Sequence, residues 1–453
     1  MSNDFARCRG NRAWYDRAIF YHIYPLGMLD GVGNLSCLVS LLDALGALDI
    51  GAIYLGPVFR SSTHGYDTID YFHVDSRLGS DEDLAYLVSE CHKRGIRVIL
   101  DGVFNHVGRE FWGFKEALRD GPQSIAWRWF VGLREDSSAP NGVRYDTWEG
   151  HESLVKLDLS NPDTRNHLLA AVDSWIERFD IDGLRLDAAD CLTEDFIREL
   201  RRRVDSRKSD FYLMGEVIHG DYRRWANDEM FDGTTNYEAY KGLWSSHNDS
   251  NFFEIAYTLN RQFGANGIYR GLSMYNFVEN HDVDRLATRL HDKRDIATCY
   301  ALMYTMPGIP SIYYGGEWAV EGKKGTGFDA DKPIRPSYEV ENLIQGNIPN
   351  RAYPSDFVHG YLKRLGDFRR NRFDLTDGDY EQIFVSSKDL VFRRNSTICA
   401  VSKSDERHEL EVCVAPGRYA ERFYDGGIFE AYDGKLRWCV EPHSLAVFEK
   451  IDG

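Results

Sequence analysis

Apolar runs of strand length and apolar residues at helical spacing alternate over the first three quarters of this 453-residue chain. Residues 19–26 and 52–59 are short apolar-aromatic runs of the kind that form buried strands. Leu84, Leu87, Val88 and Cys91 then recur at helical spacing over residues 82–94, and Gly95 stops that helix. Residues 96–100 read as a buried strand leading into Asp101. Asn161-Pro162 pairs a cap residue with a proline at the first turn. The helix it opens presents Leu168, Val172, Trp175, Ile176 and Phe179 on one face. Strands follow at 181–186, 211–214, 274–278 and 309–314, separated by helices at 195–204, 253–263 and 296–306. Strand–helix repetition of this kind predicts an α/β fold with a parallel sheet inside and helices outside. Eight strands need one more at residues 231–237, and with it the expectation is a (β/α)8 TIM barrel.

The rhythm breaks twice. Residues 107–157 are rich in Trp, Gly, Arg and Asp and are expected to form a loop-rich excursion after strand 3, over the barrel mouth. From residue 373 the pattern turns to short alternating runs broken by glycine (390–392, 397–401, 409–414, 444–448), which predicts a C-terminal antiparallel β-domain. The expected organisation is thus a barrel of residues 1–106 and 158–372, an excursion of 107–157, and a β-domain of 373–453.

Composition narrows the partners. A net charge of −17, from 71 acidic against 54 basic residues, argues against nucleic acid or an anionic membrane as partner. The 18 residues from Thr298 to Gly315 are apolar but contain Pro307 and Pro310, and read as helix, turn and strand rather than a membrane span. The first ten residues contain no apolar h-region, so a cytoplasmic location is expected. The eight cysteines (Cys8, Cys37, Cys91, Cys191, Cys299, Cys399, Cys413, Cys439) include no CxxC pair and read as buried free thiols in a reducing compartment.

Four segments carry the candidate chemistry: Asp101-Gly-Val-Phe-Asn-His106, Gly183-Leu-Arg-Leu-Asp187, Leu213-Met-Gly-Glu216 and Phe277-Val-Glu-Asn-His-Asp282. Each places acidic residues at the end of an apolar run, where desolvation is costly unless a site needs the charge. In a barrel, residues just past the C-terminal strand ends converge at one mouth. Converging carboxylates suit glycosidic cleavage, which needs one acid to protonate the leaving oxygen and one carboxylate to attack the anomeric carbon. Arg185 lies two residues before Asp187, so both point to one side of an extended backbone, and the guanidinium is expected to keep Asp187 ionised. The proton donor, for which Glu216 is the candidate, must arrive protonated.

These four segments, in this order and spacing, resemble the four conserved regions of the α-amylase family of glycoside hydrolases. The resemblance covers nearly the whole chain and implies a retaining hydrolase of α-1,4-glucosidic bonds in maltodextrins or cyclodextrins. By its pattern Asp187 is similar to the family's nucleophile, Glu216 to its general acid/base, and Asp282 to the third carboxylate that binds sugar hydroxyls. His106, His281 and Arg185 resemble residues lining the reacting-sugar subsite. His64-Gly-Tyr66-Asp67 resembles a segment whose tyrosine stacks on that sugar, and Asp331 with Arg335 resembles a pair that closes the same subsite.

Two departures matter. Many α-amylases follow the nucleophile with a Lys-His pair linked to an acceptor sugar and a calcium site; here the stretch is Ala189-Asp190-Cys191. No cofactor is therefore expected, a structural calcium ion is in doubt, and Asn105 on its own reads as structural. Glu216-Val-Ile-His219 resembles the cyclomaltodextrinase and neopullulanase branch, although that branch's N-terminal β-domain has no room before Ile19. A glucanotransferase or sucrose phosphorylase on the same scaffold is the alternative, and a non-catalytic binding relative ranks last because all three carboxylates are present. Outside the site, Asp101 is expected to be tied to Arg185, His64 and His92 to be ordinary loop or surface histidines, and Arg201-Arg-Arg203 to be a solvated helix face. Of Trp112, Trp127, Trp129 and Trp148, one or two are expected to stack on sugar.

Overall fold

Each apolar run of the first three quarters becomes a strand of one parallel sheet. In the computed structural model, which describes residues 14–139, 141–327, 329–353 and 356–451, the strands are β1 (Ile19–Ile23), β2 (Ile50–Leu55), β3 (Arg97–Gly102), β4 (Gly183–Leu186), β5 (Tyr212–Gly215), β6 (Gly233–Thr234), β7 (Tyr275–Phe277) and β8 (Ile309–Tyr313). Neighbours pair in chain order, and β8 returns to β1. The ring closes between β6 and β7, where Thr235 bridges Tyr275 and the Asn236 N–H donates to the Tyr275 carbonyl at 2.9 Å. This is a closed (β/α)8 barrel, and the expected strand at 231–237 is present as two residues.

The outer helices are α1 (Leu42–Ala47), α2 (Asp81–Lys93), α3 (Pro162–Phe179), α4 (Glu194–Arg207), α5 (Tyr237–Asn248), α6 (Phe252–Phe263), α7 (Asp295–Thr305) and α8 (Phe357–Arg370). Local chemistry sets their ends. Ser80 closes a capping box on α2, its hydroxyl accepting from Asp83 N–H while the Asp83 carboxylate accepts from Ser80 N–H. Asn161 accepts from Asp163 N–H at 2.8 Å ahead of Pro162, and α3 ends at Asp180 in the left-handed conformation (φ 55°). Trp175 of α3 is fully buried, stacked 4.2 Å from Phe59.

Strand alternation decides what reaches the site. Phe20, Tyr54, Ile99, Tyr212, Met214, Tyr275, Phe277 and Ile309 fill the barrel interior. The residues between them, such as Ile53, Leu100, Leu184, Leu186 and Leu213, pack outward against the helices. Continuing the inward parity by two residues gives Asp101 after Ile99, Asp187 after Arg185 and Glu216 after Met214.

Close approach fixes Gly233, because a Cβ there would lie 2.0 Å from the Ser273 carbonyl oxygen. Gly233→Ala is expected to destabilise by about 3 kcal/mol through overpacking at the barrel closure, read as a lower denaturation midpoint in guanidinium chloride.

Residues 107–157 contribute a small antiparallel sheet, with His151–Lys156 between His106–Gly108 and Thr147–Trp148. After a short helix, Phe373–Asp377, the chain forms β9 (Tyr380–Val385), β10 (Asp389–Arg394), β11 (Thr397–Ser402), β12 (His408–Cys413), β13 (Arg418–Glu421), β14 (Gly427–Glu430), β15 (Lys435–Val440) and β16 (Ser444–Lys450). Six of them form an antiparallel sheet in the order β9-β10-β11-β16-β13-β14, and β12 pairs with β15. Val391, Ile398, Val412, Leu436, Trp438 and Phe448 form their shared core.

Three expectations need correction or delimiting. Arg201 is not solvated: it is 2% exposed, its Nη1 3.0 Å from the Asp232 carboxylate and its Nη2 donating to the Phe211 carbonyl. Among the described cysteines all seven are unpaired, but Cys37, Cys191 and Cys413 are exposed rather than buried. Cys8 and the first ten residues lie outside the described residues. Among the described residues no helix is long and apolar enough to cross a membrane.

Candidate active site

Arg185 organises the barrel mouth. Its Nη1 donates to both oxygens of Asp101 (2.9 and 3.0 Å) and to Asp187 Oδ1 (2.9 Å), and its Nη2 lies 2.7 Å from Glu216 Oε2. One guanidinium, 2% exposed, therefore serves three carboxylates from three strands. Asp101 faces Arg185, as expected, and also accepts from the hydroxyls of Tyr54 (2.7 Å) and Tyr66 (3.0 Å). It is enclosed, whereas Asp187 and Glu216 are 8% and 9% exposed and reach the cleft.

Burial pushes the Asp187 carboxyl well above the usual carboxylate range; Arg185 opposes this, while Glu216 and Asp101 add to it. Arg185 thus lowers the Asp187 pKa, as expected, but burial and the neighbouring carboxylates outweigh it. The guanidinium is shared with two other carboxylates, so it offsets only part of the desolvation of Asp187.

Asp282 has a different environment. Burial opposes its charge too, but His281 and Arg335 more than offset that and hold its carboxyl below the usual range. His281 Nε2 lies 3.0 Å from Asp282 Oδ2, and Arg335 Nη2 donates to Oδ1 at 2.9 Å while its Nε donates to the His281 carbonyl at 2.7 Å. Arg335 also pairs with Asp331 at 2.9 Å, and Asp331 with Lys324 at 2.8 Å, so Asp331 acts on the mouth through Arg335.

Imidazoles complete the floor. Burial drives His106 down to about 3, so its ring is neutral, with Nδ1 against Asn105 at 3.1 Å and Nε2 4.0 Å from Asp187 Oδ2. His106 Nε2 and His281 Nδ1 are buried without a hydrogen-bond partner, and a sugar hydroxyl would supply one. The Tyr66 ring lies parallel to His281 at 5.6 Å, its hydroxyl 2.5 Å from His281 Nε2. Asp67 does not join them: its carboxylate accepts from Thr63 N–H (3.1 Å) and Thr63 Oγ1 (2.7 Å), and shapes the 63–67 loop. His64 caps that turn, accepting from Tyr66 N–H at 3.3 Å, and His92 pairs with Asp182 at 2.7 Å, so both are structural.

Of the four tryptophans in the excursion, Trp148 faces the site, 5.6 Å from the His106 ring and stacked at 5.6 Å on His151. Trp112 and Trp129 pack on each other at 5.4 Å, and Trp127 packs against the core. Sequence reasoning missed Tyr237 and Asn280. The Tyr237 hydroxyl donates to Glu216 Oε1 at 3.3 Å and accepts from Asn280 Nδ2 at 3.2 Å, and the Asn280 Oδ1 accepts from Asp282 N–H at 2.9 Å. Position just past β6 was the available signal, but the expected strand ran through Tyr237, whereas the observed one ends at Thr234 and Tyr237 opens α5.

Calcium takes six to eight oxygen ligands. The Asn105 backbone carbonyl accepts from Leu157 N–H, and its side-chain amide nitrogen lies 3.1 Å from His106 Nδ1. Among the described residues one trio of potential ligands exists, Asp292, Asp405 and His443, and Arg294 already pairs with both acids.

Comparison with known proteins agrees with this geometry. Residues 18–352 match the model of the alpha amylase catalytic domain. The chain is 36% identical over 428 residues to a cyclomaltodextrinase from Geobacillus thermopakistaniensis, covering 92% of this chain and 70% of that one. It is 33% identical over 413 residues to an intracellular maltogenic amylase from Bacillus subtilis, covering 85% and 69%. A solved cyclomaltodextrinase structure superposes with a TM-score of 0.85 at 26% identity, over 96% of this chain and 78% of that one. The chain spans 50% to 70% of the length of five curated relatives that it matches. With the matched domain covering most of the residues and the barrel, motifs and mouth all in place, the chain belongs to the α-amylase family.

Proposed function

We propose that this chain is a retaining glycoside hydrolase that cleaves α-1,4-glucosidic bonds in maltodextrins and cyclodextrins. The observation that carries the reading is one guanidinium gripping Asp187 and Glu216 through its two terminal nitrogens. Two carboxylates sharing one guanidinium are close neighbours, and retaining enzymes use a separation of about 5–5.5 Å between their two carboxyl groups. The names of the relatives, cyclomaltodextrinase and maltogenic amylase, support the same substrate class.

In the first step Glu216 gives its proton to the glycosidic oxygen, the C–O bond breaks with its electrons on that oxygen, and ionised Asp187 bonds the anomeric carbon. In the second, Glu216 takes a proton from water, the hydroxide attacks the same carbon, and Asp187 leaves as carboxylate. Asp282, fixed by His281 and Arg335, binds hydroxyls of the distorted sugar. His106, His281, Tyr66 and Arg185 line that sugar's subsite, Arg335 with Asp331 closes it, and Asp67 contributes by shaping the Tyr66 loop. Residues 107–157 act as a cover carrying Trp148, on a barrel of 1–106 and 158–372 with a β-domain of 373–453. The substrate is the only partner required, neither nucleic acid nor membrane being needed. The unpaired cysteines and the intracellular relative support a cytoplasmic location.

Chromatography after incubation with maltoheptaose, γ-cyclodextrin, pullulan, or sucrose with phosphate tests this reading. Short maltooligosaccharides or glucose are expected from the glucans; longer products or glucose phosphate would make it a transferase, and no change a binding protein. Because Ala189-Asp190-Cys191 stands where the calcium-linked Lys-His pair would be, chelation by EDTA is expected to leave the melting temperature unchanged, as measured by scanning calorimetry.

A further inference from the structure

Lone-pair bookkeeping at Glu216 says which of its oxygens carries the proton. A carboxyl oxygen has two acceptor positions. Both on Oε2 are engaged, by Arg185 Nη2 at 2.7 Å and by Ala188 N–H at 3.2 Å. Oε1 receives one donor, the Tyr237 hydroxyl at 3.3 Å. That hydroxyl has no choice of role, because its oxygen accepts from Asn280 Nδ2 at 3.2 Å and Glu216 is the acceptor beside it. Tyr237 is itself held, its ring edge-on to Phe277 at 5.0 Å on the inward face of β7.

We propose that Tyr237 is a positioning residue for the proton donor: it occupies one lone pair of Glu216 Oε1, leaves the other to carry the proton toward the cleft, and stabilises the carboxylate formed when that proton departs. The inference rests on the reading of Glu216 as acid/base. The proton passes from Oε1 to the glycosidic oxygen as the C–O bond breaks. Three hydrogen bonds then hold the new carboxylate, from Arg185, Ala188 N–H and Tyr237. Without Tyr237 the ionised form loses a donor, so the acid is weaker and gives up its proton less readily. Asn280 ties the arrangement to Asp282, whose N–H donates to the Asn280 Oδ1 at 2.9 Å.

The test compares Tyr237→Phe with the parent on maltotriose, whose leaving group needs protonation, and on α-maltosyl fluoride, whose leaving group does not. The expected result is a loss of about 10-fold in kcat/KM on maltotriose, the low end for a hydrogen bond to a charged group. The fluoride rate should fall far less. The alkaline limb of the maltotriose pH profile should move up by roughly one unit, the equivalent of that factor. Equal losses on both substrates with an unmoved limb would overturn the proposal. Replacement of Tyr237 by 3-fluorotyrosine, a stronger donor of the same shape, guards against misfolding of the phenylalanine variant. It should move the alkaline limb down, and a limb that stays in place would again overturn the proposal. Glu216→Gln separates the two layers. If that variant processes maltotriose normally, the acid/base reading itself fails; if it fails on maltotriose but keeps fluoride activity, only the role of Tyr237 is in question.

Discussion

Asp187→Asn is expected to abolish turnover while leaving the fold at least as stable as the parent near neutral pH. Loss of the nucleophile removes the covalent route, and the amide cannot bond the anomeric carbon. Stability follows from the shared guanidinium. Arg185 keeps Asp101 and Glu216 as partners, so the substitution lowers the acids around one positive charge from three to two. The sign can be checked by linkage. Burial raises the Asp187 pKa in the folded state, so this group's favourable contribution is complete below the unfolded value and disappears as pH rises through the folded one. The variant's melting temperature should therefore match or exceed the parent's at pH 7–8. Its advantage should shrink toward pH 4, where Asp187 in the parent is itself neutral. Thermal melts across that range check the stability arm. A variant that is active, or that melts well below the parent at pH 8, would remove Asp187 from this role.

Glu216→Gln should lower kcat/KM on maltooligosaccharides by about 10²–10⁴-fold, the usual worth of general acid/base help. The substitution is isosteric, and a glutamine oxygen can still accept from Arg185 and Ala188. The folded state should persist, as a circular dichroism melt would show. Two signatures separate loss of a proton donor from loss of binding. Activity on maltosyl fluoride should survive better than activity on maltotriose, because fluoride departs without protonation. Added azide should accelerate the variant, because azide attacks the intermediate without a base. A uniform loss across leaving groups with no azide response would assign Glu216 to binding.

The barrel was legible because its strands are buried on both faces and read as apolar runs, and because Asn161-Pro162 and Gly95 punctuate the helices. The inward parity that brings Asp101, Asp187 and Glu216 together was legible for the same reason. β6 was barely visible, since two residues, Gly233 and Thr234, complete the strand and their pairing comes from β5 and β7. In the C-terminal domain β10, β11, β12 and β16 were found. β9, β13, β14 and β15 were not: β13 and β14 are only four residues each and β14 is mostly exposed, while the alternation of Leu436, Trp438 and Val440 in β15 was overlooked. Arg201 was misread because its partner Asp232 is 31 residues away, and helical spacing says nothing about such a pair. Tyr237 escaped notice for a similar reason: its meaning lies in Glu216 and Asn280, which other strands deliver. The upward pull on the Asp187 pKa was not legible because adjacency to Arg185 is visible in the sequence, whereas burial and the sharing of that guanidinium among three acids are not.

The central claim is a covalent intermediate on Asp187, and mass spectrometry of trapped enzyme tests it directly. Glu216→Gln enzyme incubated with 5-fluoro-α-glucosyl fluoride should gain the mass of one fluoroglucosyl group, and peptide mapping should place it on Asp187. No adduct, or an adduct on Asp282 or another residue, would contradict the mechanism derived from this site.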